Sequence, residues 1–223
     1  MVNNESCTGC MDPLSNEYDE SNLIPAECEY TPSMVAAIIG IKAIQSADVD
    51  RDGDMDILFA SSELDMVAWI ENVEDEFLGN QFLPRTISAD ISGAKTIFPI
   101  DINGDGKLDV LTASEADNKI VWFENNGNED FIEHVVTNTA NGVTSVYGDD
   151  LNADGNIDII AVSKDYDTVA WYENDGEENF SVHVISNQID SPHTILTTDI
   201  DGDDDLDIIS ASYSDNNVSS TIF

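Results

Sequence analysis

The chain has 223 residues and a formal net charge of −39, with 46 Asp and Glu against 7 Lys and Arg. Proteins that bind nucleic acids or anionic membranes need basic patches, so this acidic excess argues against both kinds of partner. Hydrophobic residues make up 41% of the chain, which argues against wholesale disorder. The longest apolar run, residues 34–41, is much shorter than the roughly 20 residues that insertion across a membrane needs.

The first predicted element is a separate N-terminal segment, residues 1–33, which contains all three cysteines of the chain. Cys7 and Cys10 form a Cys-x-x-Cys pair, which is typical of a redox pair or of half a zinc site. No βαβ pattern follows the pair, and no second Cys-x-x-Cys or nearby histidine completes four zinc ligands. The residues after Met1 also lack the basic and apolar regions of a secretory signal.

This segment resembles a short two-cysteine repeat found in large secreted proteins of marine microbes. The residues that carry the resemblance are Gly-Cys-Met-Asp-Pro at 9–13, Asn-Glu-Tyr-Asp at 16–19, where Glu17 is an insertion, and Cys-Glu-Tyr at 28–30. The resemblance implies a structural disulfide between Cys10 and Cys28 and assigns Cys7 to a preceding unit. With the missing signal, it predicts a fragment of a longer exported protein that lies outside the cell or at its surface.

An internal repeat organises the predicted second domain, residues 34–223. Four acidic nine-residue loops align without gaps, and their starts lie 53, 49 and 49 residues apart. We number them loop 1 (48–56), loop 2 (101–109), loop 3 (150–158) and loop 4 (199–207), each with positions 1 to 9. A short apolar run follows every loop, which is typical of a β-strand.

Further landmarks recur after the first three loops. Each of these loops is followed by a Trp-x-Glu-Asn tetrapeptide, which begins at Trp69, Trp122 and Trp171, and later by a Phe-x-x-Arg/His segment. Turn-prone Asp, Asn and Gly separate the apolar stretches, so each unit of about 49 residues is predicted to contain four short strands. Four strands at this period predict an all-β array of about four propeller blades. We expect the Trp and Phe side chains to fill the space between neighbouring blades.

The spacing of acids in the loops predicts calcium sites, about four in all. Calcium prefers six to eight oxygen ligands in a flexible arrangement, and alternate side chains of a tightly curled loop converge on one point. Position 6 is predicted to need a positive φ, because it is glycine in three loops and Asp204 in the fourth. Position 7 varies and includes Lys107, so its backbone carbonyl is the expected ligand. The predicted metal ligands are Asp48, Asp50, Asp52, Asp54 and Asp56; Asp101, Asn103, Asp105, Lys107 and Asp109; Asp150, Asn152, Asp154, Asn156 and Asp158; and Asp199, Asp201, Asp203, Asp205 and Asp207.

Other readings of these loops fit the residues less well. An EF-hand needs a bidentate Glu at the twelfth position, and the twelfth residues here are Phe59, Thr112, Ala161 and Ser210. Magnesium prefers rigid six-fold geometry, and zinc or copper would want the His or Cys that the loops lack. A single acidic turn would be explained by solvation alone, but four turns in register favour a metal.

The loop Asp-x-Asp/Asn-x-Asp-Gly-x-x-Asp, the apolar strand after it and the Trp-x-Glu-Asn segment together resemble the FG-GAP/VCBS family, whose blades are similar to those of the integrin α-subunit propeller. The resemblance covers about 34–223 and implies a β-propeller, usually of about seven blades, with calcium in the loop between the first two strands of a blade. It also implies export and a role in adhesion, ligand binding or carbohydrate-related work. Only four units are present and the last lacks its Trp and Phe landmarks, so we expect a partial or open propeller with an incomplete last blade.

The sequence predicts no catalytic residues. His134 and His183 occupy equivalent repeat positions and are expected to be structural, and His193 has no matched nucleophile. The favoured hypothesis is therefore a non-catalytic calcium-binding module for an extracellular protein or glycan ligand, with self-association possible through exposed blade edges. The alternative is the propeller portion of a carbohydrate-active enzyme, of the polysaccharide lyase or sugar dehydratase type, whose catalytic residues lie outside this chain.

Overall fold

The computed structural model describes residues 35–75, 79–214 and 217–221. The predicted Cys10–Cys28 disulfide and the boundary at residue 33 lie outside the described residues. By its internal contacts the chain divides into two compact units, one comprising residues 1–37 and 74–81, the other residues 38–73 and 82–223. Most of the first unit is not described. The fold below is that of the second unit, together with residues 74–75 and 79–81 of the first, which lie in strands.

Fifteen strands make up the described fold, and they form four separate antiparallel sheets, which we call blades 1 to 4. Blade 1 contains β1 (Ile41–Ala47), β2 (Asp56–Ser61), β3 (Met66–Asp75) and β4 (Gly79–Ser88). Blade 2 contains β5 (Ala94–Ile100), β6 (Asp109–Ser114), β7 (Lys119–Asn125) and β8 (Phe131–Thr137). Blade 3 contains β9 (Val143–Asp149), β10 (Asp158–Ser163), β11 (Thr168–Asn174) and β12 (Phe180–Ser186), and blade 4 contains β13 (Pro192–Thr198), β14 (Asp207–Ser212) and β15 (Asn217–Thr221).

Each blade is a meander in which neighbours in sequence are neighbours in the sheet. The first strand ends where the acidic loop begins, and position 9 of the loop is the first residue of the second strand. The all-β prediction of four-stranded propeller blades with an incomplete last blade is therefore confirmed, since blade 4 has three strands in the described chain. The described residues contain no helix that is long and apolar enough to cross a membrane.

The core lies between consecutive blades. One buried cluster joins Trp69 and Leu58 of blade 1 to Val110 and Phe123 of blade 2, and the equivalent cluster joins Trp122 to the apolar strands of blade 3. The second strands β6 and β10 are buried along their whole length, whereas the outer strands β8 and β12 contain only half-buried and exposed residues. The prediction that the tryptophans fill the space between blades is confirmed for Trp69 and Trp122.

A second kind of contact links the blades at the turn between their second and third strands. In blades 1 to 3 this turn contains a left-handed Asp or Asn, with φ of 51° at Asp65, 56° at Asn118 and 53° at Asp167. Asp and Asn tolerate this conformation better than most residues. Their side-chain oxygens accept the N–H of the next blade at 2.8–3.0 Å, from Gly93, Gly142 and Ser191 respectively. The turn of one blade thus anchors the first strand of the next.

Candidate metal centre

The acidic loops curl around the carboxylate at position 1. In loop 2, Asp101 Oδ2 accepts the N–H of Gly106 at 2.7 Å and Oδ1 accepts the N–H of Asp105 at 3.1 Å. Loop 3 repeats both contacts, and loops 1 and 4 make the equivalent bond from position 6 to position 1. These bonds fold each loop around the carboxylate of its position 1.

The tight curl needs left-handed backbone at two positions. Position 6 has φ of 98°, 83°, 91° and 75° at Gly53, Gly106, Gly155 and Asp204, which confirms the predicted positive φ. Position 4 is left-handed as well, with φ of 66°, 72°, 57° and 83° at Arg51, Gly104, Ala153 and Gly202. The sequence reasoning missed position 4, although glycine at two of its four occurrences is a signal that could have found it.

Replacing Ala153 by Gly is expected to stabilise the protein by about 1 kcal/mol, because an L-residue in this conformation costs roughly that much. The matched change Gly104→Ala in loop 2 should destabilise by a similar amount, since an added Cβ there meets nothing within 4 Å and only the backbone is strained. Urea unfolding of both variants at one calcium concentration measures the two shifts. Equal signs for the two changes would contradict the assignment of strain to position 4.

The Asp at position 9 is buried, and in blades 1 to 3 each of its two carboxylate oxygens accepts a backbone N–H. Its side chain is 1% exposed at Asp56 and 0% exposed at Asp109, Asp158 and Asp207. In every loop, Oδ2 accepts the N–H of position 2, at 2.8–3.3 Å. In blades 1 to 3, Oδ1 accepts the N–H of the Asn that ends Trp-x-Glu-Asn, at 2.8–2.9 Å. This carboxylate therefore fastens the loop to the third strand of its own blade.

Three carboxylates converge in two of the loops. One oxygen from each of Asp48, Asp50 and Asp56 lies within 4.8 Å of the others, and Asp199, Asp201 and Asp207 form the same cluster in loop 4. In loops 2 and 3 position 3 is Asn103 or Asn152, whose side-chain oxygen accepts the N–H of position 5 at 3.1 Å. The structure thus brings positions 1, 3 and 9 together in loops 1 and 4.

The electrostatics of loop 1 fit a cation. Asp48 Oδ1 is buried and has no hydrogen-bond partner. Burial raises the pKa of Asp50, and the neighbouring charges of Asp52, Glu71 and Asp48 raise it further. Burial also raises the pKa of Asp56, although the N–H groups of Asn72 and Val49 oppose the shift. Loop 1 therefore contains a carboxylate oxygen without a hydrogen-bond donor, next to two carboxyl groups whose pKa is raised. A hard cation suits such a site, because it binds the free oxygen and stabilises the ionised carboxylates.

The remaining predicted ligands lie on the exposed side of the loops. Position 5 is solvent-exposed in all four loops, and its Oδ1 accepts the N–H of position 7 at 2.8–3.1 Å. The side chain of Lys107, at position 7 of loop 2, contacts Asp105 Oδ2 with its ammonium group. The predicted role of the position 7 carbonyl stays a prediction.

A basic side chain that contacts the Glu of each Trp-x-Glu-Asn segment was not predicted as part of this region. Arg85 donates to Glu71 at 2.7–2.8 Å and also reaches Glu129 of blade 2 at 3.2 Å. His134 bonds Glu124 at 2.9 Å and stacks on Trp122 at 4.3 Å, and His183 and Glu173 repeat the bond at 2.8 Å. The Glu that recurs in Trp-x-Glu-Asn and the base that recurs in Phe-x-x-Arg/His were the sequence signal from which these ion pairs could have been predicted. These histidines have the structural positions that the repeat predicts.

Another link runs from the third strand of blade 2 to loop 1. The side-chain amide of Asn125 donates to the carbonyl of Val49 at 3.0 Å and to that of Leu108 at 3.1 Å. Asn125 is itself buried. The geometry of one acidic loop is therefore coupled to the position of the next blade.

Comparisons with known proteins agree with this architecture. The sequence model of the FG-GAP-like repeat matches residues 48–112, 101–161 and 150–210, which together span most of the chain. No curated protein matches the chain. Among solved structures, the Vibrio cholerae biofilm matrix protein Bap1 is similar over 80% of this chain and 26% of its own, with 19% identity and a TM-score of 0.50. Virginiamycin B lyase from Staphylococcus aureus is similar over 82% of this chain and 56% of its own, with 14% identity and a TM-score of 0.47. The chain thus spans less than two thirds of either structure.

Proposed function

The chain belongs to the FG-GAP-like repeat family, and we propose that it is a non-catalytic, calcium-binding module that presents its blades to an extracellular protein or glycan ligand. The observation that carries the calcium assignment is the convergence of Asp48, Asp50 and Asp56, with one buried carboxylate oxygen left without a donor. The same loop geometry recurs in every blade, so the proposal extends to about four sites. An extracellular location is supported by the family, whose members are typically found outside cells.

The residues that would hold each ion are the side chains at positions 1, 3, 5 and 9 and the carbonyl at position 7. Bound calcium would balance the negative charge of these carboxylate oxygens. Without it, two carboxylates within 4.8 Å repel each other by about 3 kcal/mol at an effective dielectric constant of 20, before screening by water and salt. Since this repulsion opposes the loop geometry, occupancy of the site is expected to stabilise the folded blades.

The non-catalytic part of the proposal is supported by the positions of two of the three histidines. His134 is stacked on Trp122 and bonded to Glu124, and His183 is held in the same way by Trp171 and Glu173. Both side chains are thus committed to packing within their blades. A surface that binds without transforming its ligand needs only the rigidity that such contacts give.

Counting bound ions tests the calcium proposal. Terbium luminescence and calcium calorimetry on the full chain should both give about four ions. Asp52→Ala should remove one ion, because the side chain at position 5 is a proposed ligand. The matched control is Asp54→Ala in the same loop, which removes the same charge but keeps the position 7 carbonyl, and it should retain all four. A chain that binds no ion, or equal losses in the two variants, would overturn the assignment.

A further inference from the structure

Three of the seven Lys and Arg residues of this acidic chain line one cavity. Only 7 Lys and Arg occur among 223 residues, yet Lys42, Lys95 and Lys164 line a single cavity of about 340 Å³ together with His193. Cavities that bind small ligands commonly start at about 300 Å³. Hydroxyl groups make up much of the remaining wall, from Thr96, Thr144, Ser145 and Thr194. The cavity is therefore basic and rich in hydrogen-bonding groups.

The repeat places these residues at one end of the first strands. Lys42 and Lys95 are each the second residue of their strand, β1 and β5, and His193 has the same place in β13. Lys164 directly follows β10, at the same end of blade 3. The acidic loops begin at the opposite ends of these first strands, so the basic cavity and the proposed calcium sites face away from each other.

The separation between the two regions is large enough to matter. Lys42 and Asp48 are six residue steps apart along an extended strand, which corresponds to about 20 Å. The Debye length at physiological salt is about 8 Å, so the loops repel an anion in the cavity only weakly. A bound calcium in each loop would reduce that repulsion further.

Two of the lysines that line the cavity are bridged by one carboxylate of the chain itself. Glu115 Oε2 lies 2.5 Å from Lys95 Nζ, and Oε1 contacts Lys164 Nζ. Burial alone would raise the pKa of Glu115, but the hydrogen bonds from Lys164 and Lys95 outweigh burial and hold its pKa below the usual value. The two ammonium groups are thus positioned so that each donates a hydrogen bond to a different oxygen of one planar anion. Asp165 also interacts with Lys164.

One lysine remains to receive a ligand. Within the described residues Lys42 forms no ion pair, and it is exposed at the cavity wall. An exposed aromatic ring lies beside the cavity as well, since Tyr213 meets His193 edge-on with ring centroids 6.0 Å apart. The combination of ammonium groups, hydroxyls and an exposed ring matches a sugar that carries an acidic group.

We propose that this lysine-lined cavity binds the carboxylate or sulfate group of an acidic glycan, with Lys42, Lys95 and Lys164 as the charged contacts. The inference rests on the proposed function and narrows its ligand. Glu115 pairs with two of the three lysines, Lys95 and Lys164, and therefore competes with the acidic group of the glycan for them. The bound sugar ring lies against the hydroxyl-rich wall.

Isothermal titration calorimetry on the full chain, at one saturating calcium concentration, tests the proposal. The probes are three tetrasaccharides: tetragalacturonate, a sulfated carrageenan tetrasaccharide and the neutral cellotetraose. At least one acidic probe should bind and the neutral one should not, and the better probe identifies the acidic group. Lys95→Ala should weaken binding about tenfold or more, as loss of a charge-assisted hydrogen bond does. Glu115→Gln should tighten binding severalfold, because it removes the competing charge. Lys119→Ala, which removes one charge outside the cavity lining, is the matched control and should change nothing.

Terbium stoichiometry and melting temperature, measured on the same variants, separate this proposal from the calcium assignment. Unchanged ion binding together with no saccharide binding would overturn the glycan site alone. Acidic saccharide binding that ignores both Lys95→Ala and Glu115→Gln would overturn it too. A tetraglutamate peptide serves as the last probe, and preference for the peptide over every saccharide would show a protein ligand instead.

Discussion

Saturating calcium is expected to raise the melting temperature of this protein by about 5–10 °C for each loop that binds, and by about 20–40 °C if all four loops bind. One site at a hundred times its dissociation constant stabilises the folded state by about 2.7 kcal/mol. For a chain of 150–250 residues, each kcal/mol corresponds to about 2–4 °C. The physical cause is the removal of carboxylate repulsion in loops such as 48–56, whose ends lead directly into β1 and β2.

Differential scanning calorimetry with millimolar calcium, with the same concentration of magnesium and with a chelator measures this effect. Magnesium should give a smaller shift because it demands near-octahedral geometry and gives up its water reluctantly. Sodium chloride at matched ionic strength controls for general screening of the net charge of −39. A melt that is the same in calcium and in chelator would contradict the account, as would equal shifts from calcium and matched sodium chloride.

Asp109→Ala is expected to destabilise the protein by about 3–5 kcal/mol, whether or not calcium is present. The side chain is 0% exposed, and its two oxygens accept the N–H groups of Ile102 at 3.0 Å and Asn125 at 2.9 Å. Removing the carboxylate leaves two buried donors unpaired, at about 1–3 kcal/mol each. Denaturant unfolding in chelator isolates this part of the effect from calcium binding.

The matched control for Asp109→Ala is Asp105→Ala in the same loop. Asp105 is exposed at position 5, and it is a proposed ligand without a buried structural bond. Its replacement should cost little in chelator and should reduce the calcium-dependent stabilisation by about one site's share. If Asp109→Ala left stability in chelator unchanged, the buried hydrogen bonds would not have the structural role assigned to them.

The repeat made much of the fold predictable. Position 9 was expected to precede a strand, and β2, β6, β10 and β14 each begin at that residue. Position 6 was expected to be left-handed, because glycine at three of four occurrences reports a backbone requirement, and Asp204 adopts the same φ. Buried positions for Trp69 and Trp122 follow from their fixed place in the repeat. Such local patterns can be recognised in the sequence because the same structural requirement recurs in every repeat.

Contacts between blades were less predictable. The left-handed turn residues Asp65 and Asn118 look like ordinary turn residues, and only the packing of blades shows that their side chains hold the next strand. The position 9 carboxylate was predicted only as a ligand, since a metal ligand and an acceptor for backbone N–H groups both call for Asp. The basic cavity also depends on several blades at once, although Lys42 and Lys95 share one repeat position.

The most direct test of the central claim is an anomalous difference map from crystals of the full chain grown with terbium in place of calcium. The account predicts one peak in each acidic loop, at 48–56, 101–109, 150–158 and 199–207, close to the side-chain oxygens of positions 1, 3 and 5. Peaks scattered over other surface carboxylates, with the four loops empty at saturating terbium, would contradict it.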